Sequence, residues 1–319
     1  MSGGMDRRGF VKKSVAASAA ALGVGSFEDA HLLTQMAMGA SNPRQADPQG
    51  KHKGKMPYGK IKNLQISRLF CGGNLIGGWA HSRDLMYVSS LVKAYHTDEK
   101  VFETLELAEE YGINTILTNP RSDQVINRYR NERGGKILWF SDCAFGNMKE
   151  GIQRSVDSGA DGIYLQGGIC DDAIIRGQVA VVGEMLEFMK AQGVPAGLGA
   201  HRLETVKACV EAGLGPDFWV KTLHHGDYWS AKPQPEYDNI WCWKPEETIE
   251  YMKTLKTPWI AFKVMAAGAI HPRVGFRYAW ENGADFICAG MFDFQVIEDV
   301  LIAREIFEKG FERQRPWMA

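Results

Sequence analysis

A chain of 319 residues, 45% hydrophobic and 24% charged, holds enough apolar material for one large domain with a full core. Its formal net charge of -1 offers no footprint for nucleic acid, so none is expected as a partner. No stretch reaches the roughly eighteen apolar residues that cross a bilayer, so no stable membrane span is expected.

The first sixty residues do not read as part of the fold. Asp6-Arg7-Arg8-Gly9-Phe10-Val11-Lys12-Lys13 is basic and precedes a small apolar run from Ser14 to Gly25. A basic stretch ahead of a short apolar one makes a secretory signal, and the arginine pair with Phe10 resembles a twin-arginine signal. Residues 1–39 are assigned to that segment, with cleavage expected near Ala37-Met38-Gly39. The twin-arginine export machinery is then a partner, the source bacterial and the destination periplasmic. That pathway carries folded proteins, which leaves room for a tight cofactor. Residues 40–56 are polar, carry Pro43, Pro48 and Gly50, and read as a flexible linker.

From residue 57 to 319 the chain repeats a cadence of helix, glycine and short apolar strand. It occurs at Gly112, Gly159, Gly193, Gly213 and Gly283. A glycine just past a helix takes the left-handed conformation without steric cost. Strands apolar throughout are buried on both faces, as in parallel sheets. Eight fit the pattern: Ser67 to Gly72, Asn114 to Thr118, Ile137 to Ser141, Gly162 to Gln166, Ala196 to Ala200, Phe218 to His224, Trp259 to Met265 and Phe286 to Gly290. Eight strands alternating with helices predict a (β/α)8 TIM barrel, whose chemistry gathers at the strands' C-terminal ends.

Helices are predicted over Asp98 to Tyr111 with Thr97 as N-cap, Gly183 to Gln192, Glu204 to Ala212, Glu246 to Leu255 after Pro245, and Val274 to Asn282. Two connections are long, Ile76 to His96 and Gly226 to Trp243. The second carries Tyr228, Trp229, Tyr237, Trp241 and Trp243, too aromatic for a disordered loop. It reads either as a functional loop or as a flap sealing one barrel end. The first carries His81, Arg83 and Asp84, which read as a lid or a surface cluster. Of six scattered cysteines, Cys71, Cys143, Cys209 and Cys288 sit beside apolar segments and read as buried free thiols.

The segment from Met56 to Ile61 and on through Ser67-Arg68-Leu69-Phe70-Cys71-Gly72-Gly73-Asn74 resembles the start of aldo-keto reductases. So does Leu107-Ala108-Glu109-Glu110-Tyr111-Gly112-Ile113-Asn114, and Ala261 to Ile270 looks like that family's seventh strand. Gly290-Met291-Phe292-Asp293-Phe294-Gln295 is similar to its last loop. The resemblance implies NADP held there by Gly290, Met291, Asp293 and Gln295, on amides that open a helix. The family's catalytic tetrad is not matched: Leu117, the run Thr118 to Ser122, Asp142 and Gln166 or Gly167 stand in its places. Without a tyrosine acid poised by a lysine, hydride delivery to a carbonyl lacks its proton donor.

The strand ends supply a polar ring of Asn74, Asn119, Asp142, Gln166, His201, Lys221, His224, His225, Lys263 and Asp293. Asp217 to Thr222 and Phe262 to Ile270 resemble deoxyribose-phosphate aldolases locally, a lysine on each of two neighbouring strands and Asp142 on the third. Two crowded lysines depress each other's pKa, so that one acts as a neutral amine toward a carbonyl. They read equally as barrel ion pairs. His201 with His224 or His225, plus Asp227 or Asp142, offers a divalent-metal site instead. Three functions stay open. One is an enzyme on a carbonyl-bearing, sugar-like small molecule, using Lys221, Lys263, Asp142 and the histidines, with Asn74, Asn119, Gln166, Trp229 and Trp241 binding substrate. The others are a metal-dependent lyase, isomerase or hydrolase, and a non-catalytic sugar-binding barrel.

Overall fold

The computed structural model describes residues 47, 49–54, 56–82, 85–228, 230–231 and 240–319. The signal segment, Arg83, Asp84, Trp229 and Tyr237 lie outside the described residues. A two-stranded antiparallel hairpin, β1 (Tyr58–Ile61) and β2 (Leu64–Ser67), comes first. Eight parallel strands follow and close on themselves: β3 (Leu69–Gly72), β4 (Thr115–Thr118), β5 (Leu138–Ser141), β6 (Gly162–Leu165), β7 (Ala196–Ala200), β8 (Phe218–Thr222), β9 (Trp259–Phe262) and β10 (Phe286–Gly290). This is the (β/α)8 barrel that the cadence predicts.

All five cadence glycines are left-handed, with φ from 74° at Gly213 to 99° at Gly283. Alternate residues of the strands fill the barrel, where Phe70, Leu117, Phe140, Tyr164, Phe218, Val220, Ile260, Phe286 and Cys288 form one cluster. Gly197 makes way for the Phe218 ring, which a Cβ there would meet at 2.5 Å. The opposite strand faces join a larger core beneath the helices. Ile61 and Ile66 of the hairpin close the barrel's lower end. All six cysteines are buried and free.

The helices are α1 (Tyr87–Tyr95), α2 (Asp98–Glu110), α3 (Asp123–Arg133), α4 (Met148–Asp157), α5 (Gly167–Ile175), α6 (Val179–Lys190), α7 (Leu203–Glu211), α8 (Pro245–Lys253), α9 (Pro272–Glu281) and α10 (Asp293–Lys309). Thr97 caps α2 as expected, its side chain accepting from Lys100 N. The sequence signals for α1, α3 and α5 are weak. Helix α3 buries only Asp123, Ile126 and Tyr129, and α5 opens on two glycines, so tertiary packing rather than propensity makes them. Three strands end earlier than predicted: β9 stops where Lys263 turns left-handed at φ 58°, β8 stops at Thr222, and β6 stops at Leu165, one residue before Gln166.

The stretch read as a flexible linker is docked where it is described. Asp47 is buried and accepts Tyr111 Oη at 3.0 Å, and Gly54 N donates to Glu110 O. Among the described residues no helix is long and apolar enough to cross a membrane.

Candidate functional site

The C-terminal strand ends open a mouth whose floor is the top of the barrel core. Phe140 faces inward, so Asp142, two residues on, faces inward as well. Its Oδ1 accepts from Ala144 N at 2.9 Å, and burial lifts its pKa to about 6. Tyr164 stands on the floor beside it. Burial first, then the Asp142 charge, pushes the Tyr164 hydroxyl well above its ordinary range.

His201, one residue past β7, stands over the same floor with its ring 5.3 Å from that of Phe262. Gly167 makes room for it, since a Cβ there would lie 2.9 Å from His201 Cε1. His201 Nδ1 and backbone N both lie 3.0 Å from Asp171 Oδ2. Asp171 also accepts Thr205 Oγ1 at 2.6 Å and Arg202 N at 3.3 Å. Burial works against this carboxylate, yet the hydrogen bonds from His201 and Thr205 hold it below the usual range. A carboxylate fixed on Nδ1–H leaves Nε2 as the basic nitrogen. Sequence reading missed Asp171 because it sits inside α5, thirty residues before its partner. The Asp-Asp pair opening no recognisable spacing gave no signal.

The two lysines do not act as a pair. Phe218 and Val220 point into the barrel, so Lys221 points outward by alternation. Its Nζ donates to His201 O and Thr222 O, both at 2.9 Å. Burial, not a neighbouring lysine, lowers its pKa. Lys221 therefore holds the backbone that carries His201, which corrects the expectation of a catalytic amine. Lys263 is at the mouth: its Nζ is 3.0 Å from His81 Nε2 and 5.0 Å from the Trp241 ring centroid. The loop after β3 thus crosses the opening from Trp79 to His81.

His224 is also corrected. It is fully buried, its Nδ1 faces His225 O at 2.8 Å, and its Nε2 accepts from Trp241 N and Cys242 N at 3.1 and 2.9 Å. Burial drops its pKa to about 4, so it is a neutral staple with both nitrogens engaged. His225 faces Tyr278 and accepts from Asp227 N at 3.2 Å. Among the described residues no group of three or more His, Cys, Asp or Glu converges as a metal site would require. Of the expected substrate ligands, Asn119 and Gln166 cap local turns through Arg121 N and Ile169 N. Asn74 is exposed on the loop after β3.

The start of α10 does not fit a nicotinamide phosphate. Phe292 N donates to Gln295 Oε1, and Gln295 N to Phe292 O. Asp293 is buried there, accepting Tyr95 Oη at 2.5 Å and Lys100 Nζ at 2.8 Å. Burial opposes its charge, but Lys100 and Tyr95 keep it ionised below the usual range. A carboxylate already occupies the positive end of the helix, and Gly290 and Met291 only lead the chain to it.

No family model matches the chain, and no curated protein does either. Two solved structures from Pseudomonas aeruginosa, each described as a presumed aldo-keto reductase, share the barrel fold. The first is 17% identical, covering 81% of this chain and 98% of its own, with a TM-score of 0.58. The second is 18% identical, covering 80% and 95%, with a TM-score of 0.55.

Proposed function

We propose that the chain is an aldo-keto-reductase-like barrel turned to nicotinamide-independent proton transfer, acting on a small, sugar-like carbonyl compound. One observation carries this reading: His201, just past β7, is oriented by Asp171 through Nδ1, which leaves Nε2 as the basic nitrogen at the same strand ends where Asp142 follows β5. A histidine so held is a general base, and a carboxyl group titrating near 6 is matched to working as an acid near neutrality. His201 removes a proton from the carbon next to the carbonyl. The electron pair moves onto the carbonyl oxygen, where the Lys263 ammonium at the mouth and a proton from Asp142 offset the charge. His201 then returns its proton to the same or the neighbouring carbon while Asp142 takes back a hydroxyl proton, from the same oxygen in an epimerisation or from the neighbouring one in an isomerisation, with no oxidant or reductant consumed.

The test is deuterium incorporation from heavy water into a panel of aldoses and ketoses, followed by proton NMR. His201→Gln should slow exchange by about 10²–10⁴-fold while leaving the melting temperature nearly unchanged. Equal exchange by wild type and variant sinks the reading. Export through the twin-arginine pathway belongs to the same proposal, supported by Arg7, Arg8 and Phe10 ahead of the apolar run. Changing both arginines to lysine should keep the protein in the cytoplasm, and undiminished periplasmic yield would refute it.

A further inference from the structure

Loops and helices after the first three barrel strands bring a ladder of alternating cations and rings to one side of the mouth. Arg154 lies 4.2 Å from the Phe145 ring centroid, Arg121 lies 5.5 Å from the same ring and 5.9 Å from that of Trp79, and Lys93 Nζ lies 5.9 Å from the other partner of the ladder, Trp79. Arg154 is neutralised, donating to Asp123 Oδ2 at 2.9 and 3.1 Å. Among the described residues neither Arg121 nor Lys93 has an acidic partner.

The ladder is built rather than loose. Asn119 Oδ1 accepts from Arg121 N at 2.9 Å and sets the turn that carries the guanidinium. Trp79 N donates to Asn74 O at 2.8 Å, and Ser89 Oγ of α1 ties down Gly78 O at 2.7 Å. Gly77 lets Trp79 and Asn119 approach, since a Cβ there would meet them at 2.8 and 3.1 Å. Trp79 remains 49% exposed, so one side of the ladder is open. Phe145 is three residues from Asp142, which puts the ladder at the rim of the proton-transfer site.

A guanidinium held by rings keeps its donors available, and its planar fork matches an oxyanion. The geometry points to Arg121 as the anion-recognition residue of the mouth, with Lys93 adding charge, so that the substrate is an acidic sugar bearing a carboxylate or phosphate. This rests on the proton-transfer reading for the site's purpose, but its binding test does not depend on turnover.

The experiment titrates the full chain with glucuronate, glucose 6-phosphate and glucose, following tryptophan fluorescence and calorimetry. At least one anion should bind about tenfold or more tightly than glucose. Preference for glucuronate identifies the anion as a carboxylate, and preference for the phosphate ester identifies a phosphate. Arg121→Gln should erase the preference, and Arg121→Lys should restore part of it, because charge returns without the fork. Lys93→Gln should weaken it less. Arg121 is exposed, and a melting curve confirms that each variant folds. Absence of an anion preference, or a preference that survives Arg121→Gln, overturns the inference. If the preference holds while His201→Gln leaves deuterium exchange intact, only the catalytic reading falls. If exchange needs His201 but neutral and anionic sugars bind alike, only the anion site falls.

Discussion

Both ends of the barrel carry charged side chains and use them in opposite ways. At the lower end Arg68, Arg313 and Arg315 surround Asp285. Arg315 and Asp285 are fully buried, 2.7 Å apart, and Arg315 also donates to Leu255 O, Thr257 O and Gly283 O. Asp285 accepts Trp259 N and Met318 N besides. Burial lowers Arg68 and Arg313 to about 10, and their rings of contact include Trp317 at 4.0 and 3.4 Å. At the mouth, by contrast, among the described residues Asp142 has a single backbone donor, His201 is fixed on one nitrogen only, and Arg121 has rings but no carboxylate. Saturated charge is a clamp, whereas charge with donors or acceptors to spare is available to a ligand.

The sharpest way to break this contrast is at the clamp. Asp285→Ala strands a buried guanidinium and two backbone amides, and should cost about 3–5 kcal/mol of stability. Denaturant unfolding measures it. A loss below about 1 kcal/mol would mean that the lower end is no clamp.

Lys221 lies between the two behaviours, buried yet one strand position from the mouth. Lys221→Met leaves His201 O and Thr222 O without their donor, and should cost about 1–3 kcal/mol. Turnover should fall through displacement of His201. An unchanged melting curve combined with abolished turnover would return Lys221 to a catalytic role.

Asp142 offers the mildest probe. Its pKa is about 6 in the fold against 3.8 ordinarily, so folding favours the protonated form. Stability is then highest below about pH 4 as far as this group is concerned, falls as pH rises toward 6, and stays reduced above it. Asp142→Asn removes that dependence and should stabilise the protein at pH 7 by about 1–2 kcal/mol, with residual solvation lowering the full linkage value. The variant and wild type should melt alike near pH 4. Melting curves across pH 4 to 7 that run parallel would show that Asp142 is ordinary surface carboxylate.

Local and periodic information sufficed for the fold. The eight strands are largely apolar and buried on both faces because the barrel core lies on one side and the helical shell on the other. Each of Gly112, Gly159, Gly193, Gly213 and Gly283 is needed because only a residue without Cβ takes the left-handed turn cheaply. The polar residues at the strand ends were legible as a group for the same reason, since they break apolar runs at a fixed place. Which of them face a ligand was not. Lys221 is turned away by a single step of strand alternation, His224 is consumed by amides from Trp241 and Cys242, and Asn119 and Gln166 are spent on capping. Asp171 and the rings that hold Arg121 come from other loops and helices, far along the chain. Sequence determines periodicity and backbone conformation, because those depend on neighbours a few residues away. Tertiary structure decides which polar groups are left unsatisfied, because that depends on every partner the closed barrel brings within hydrogen-bond reach.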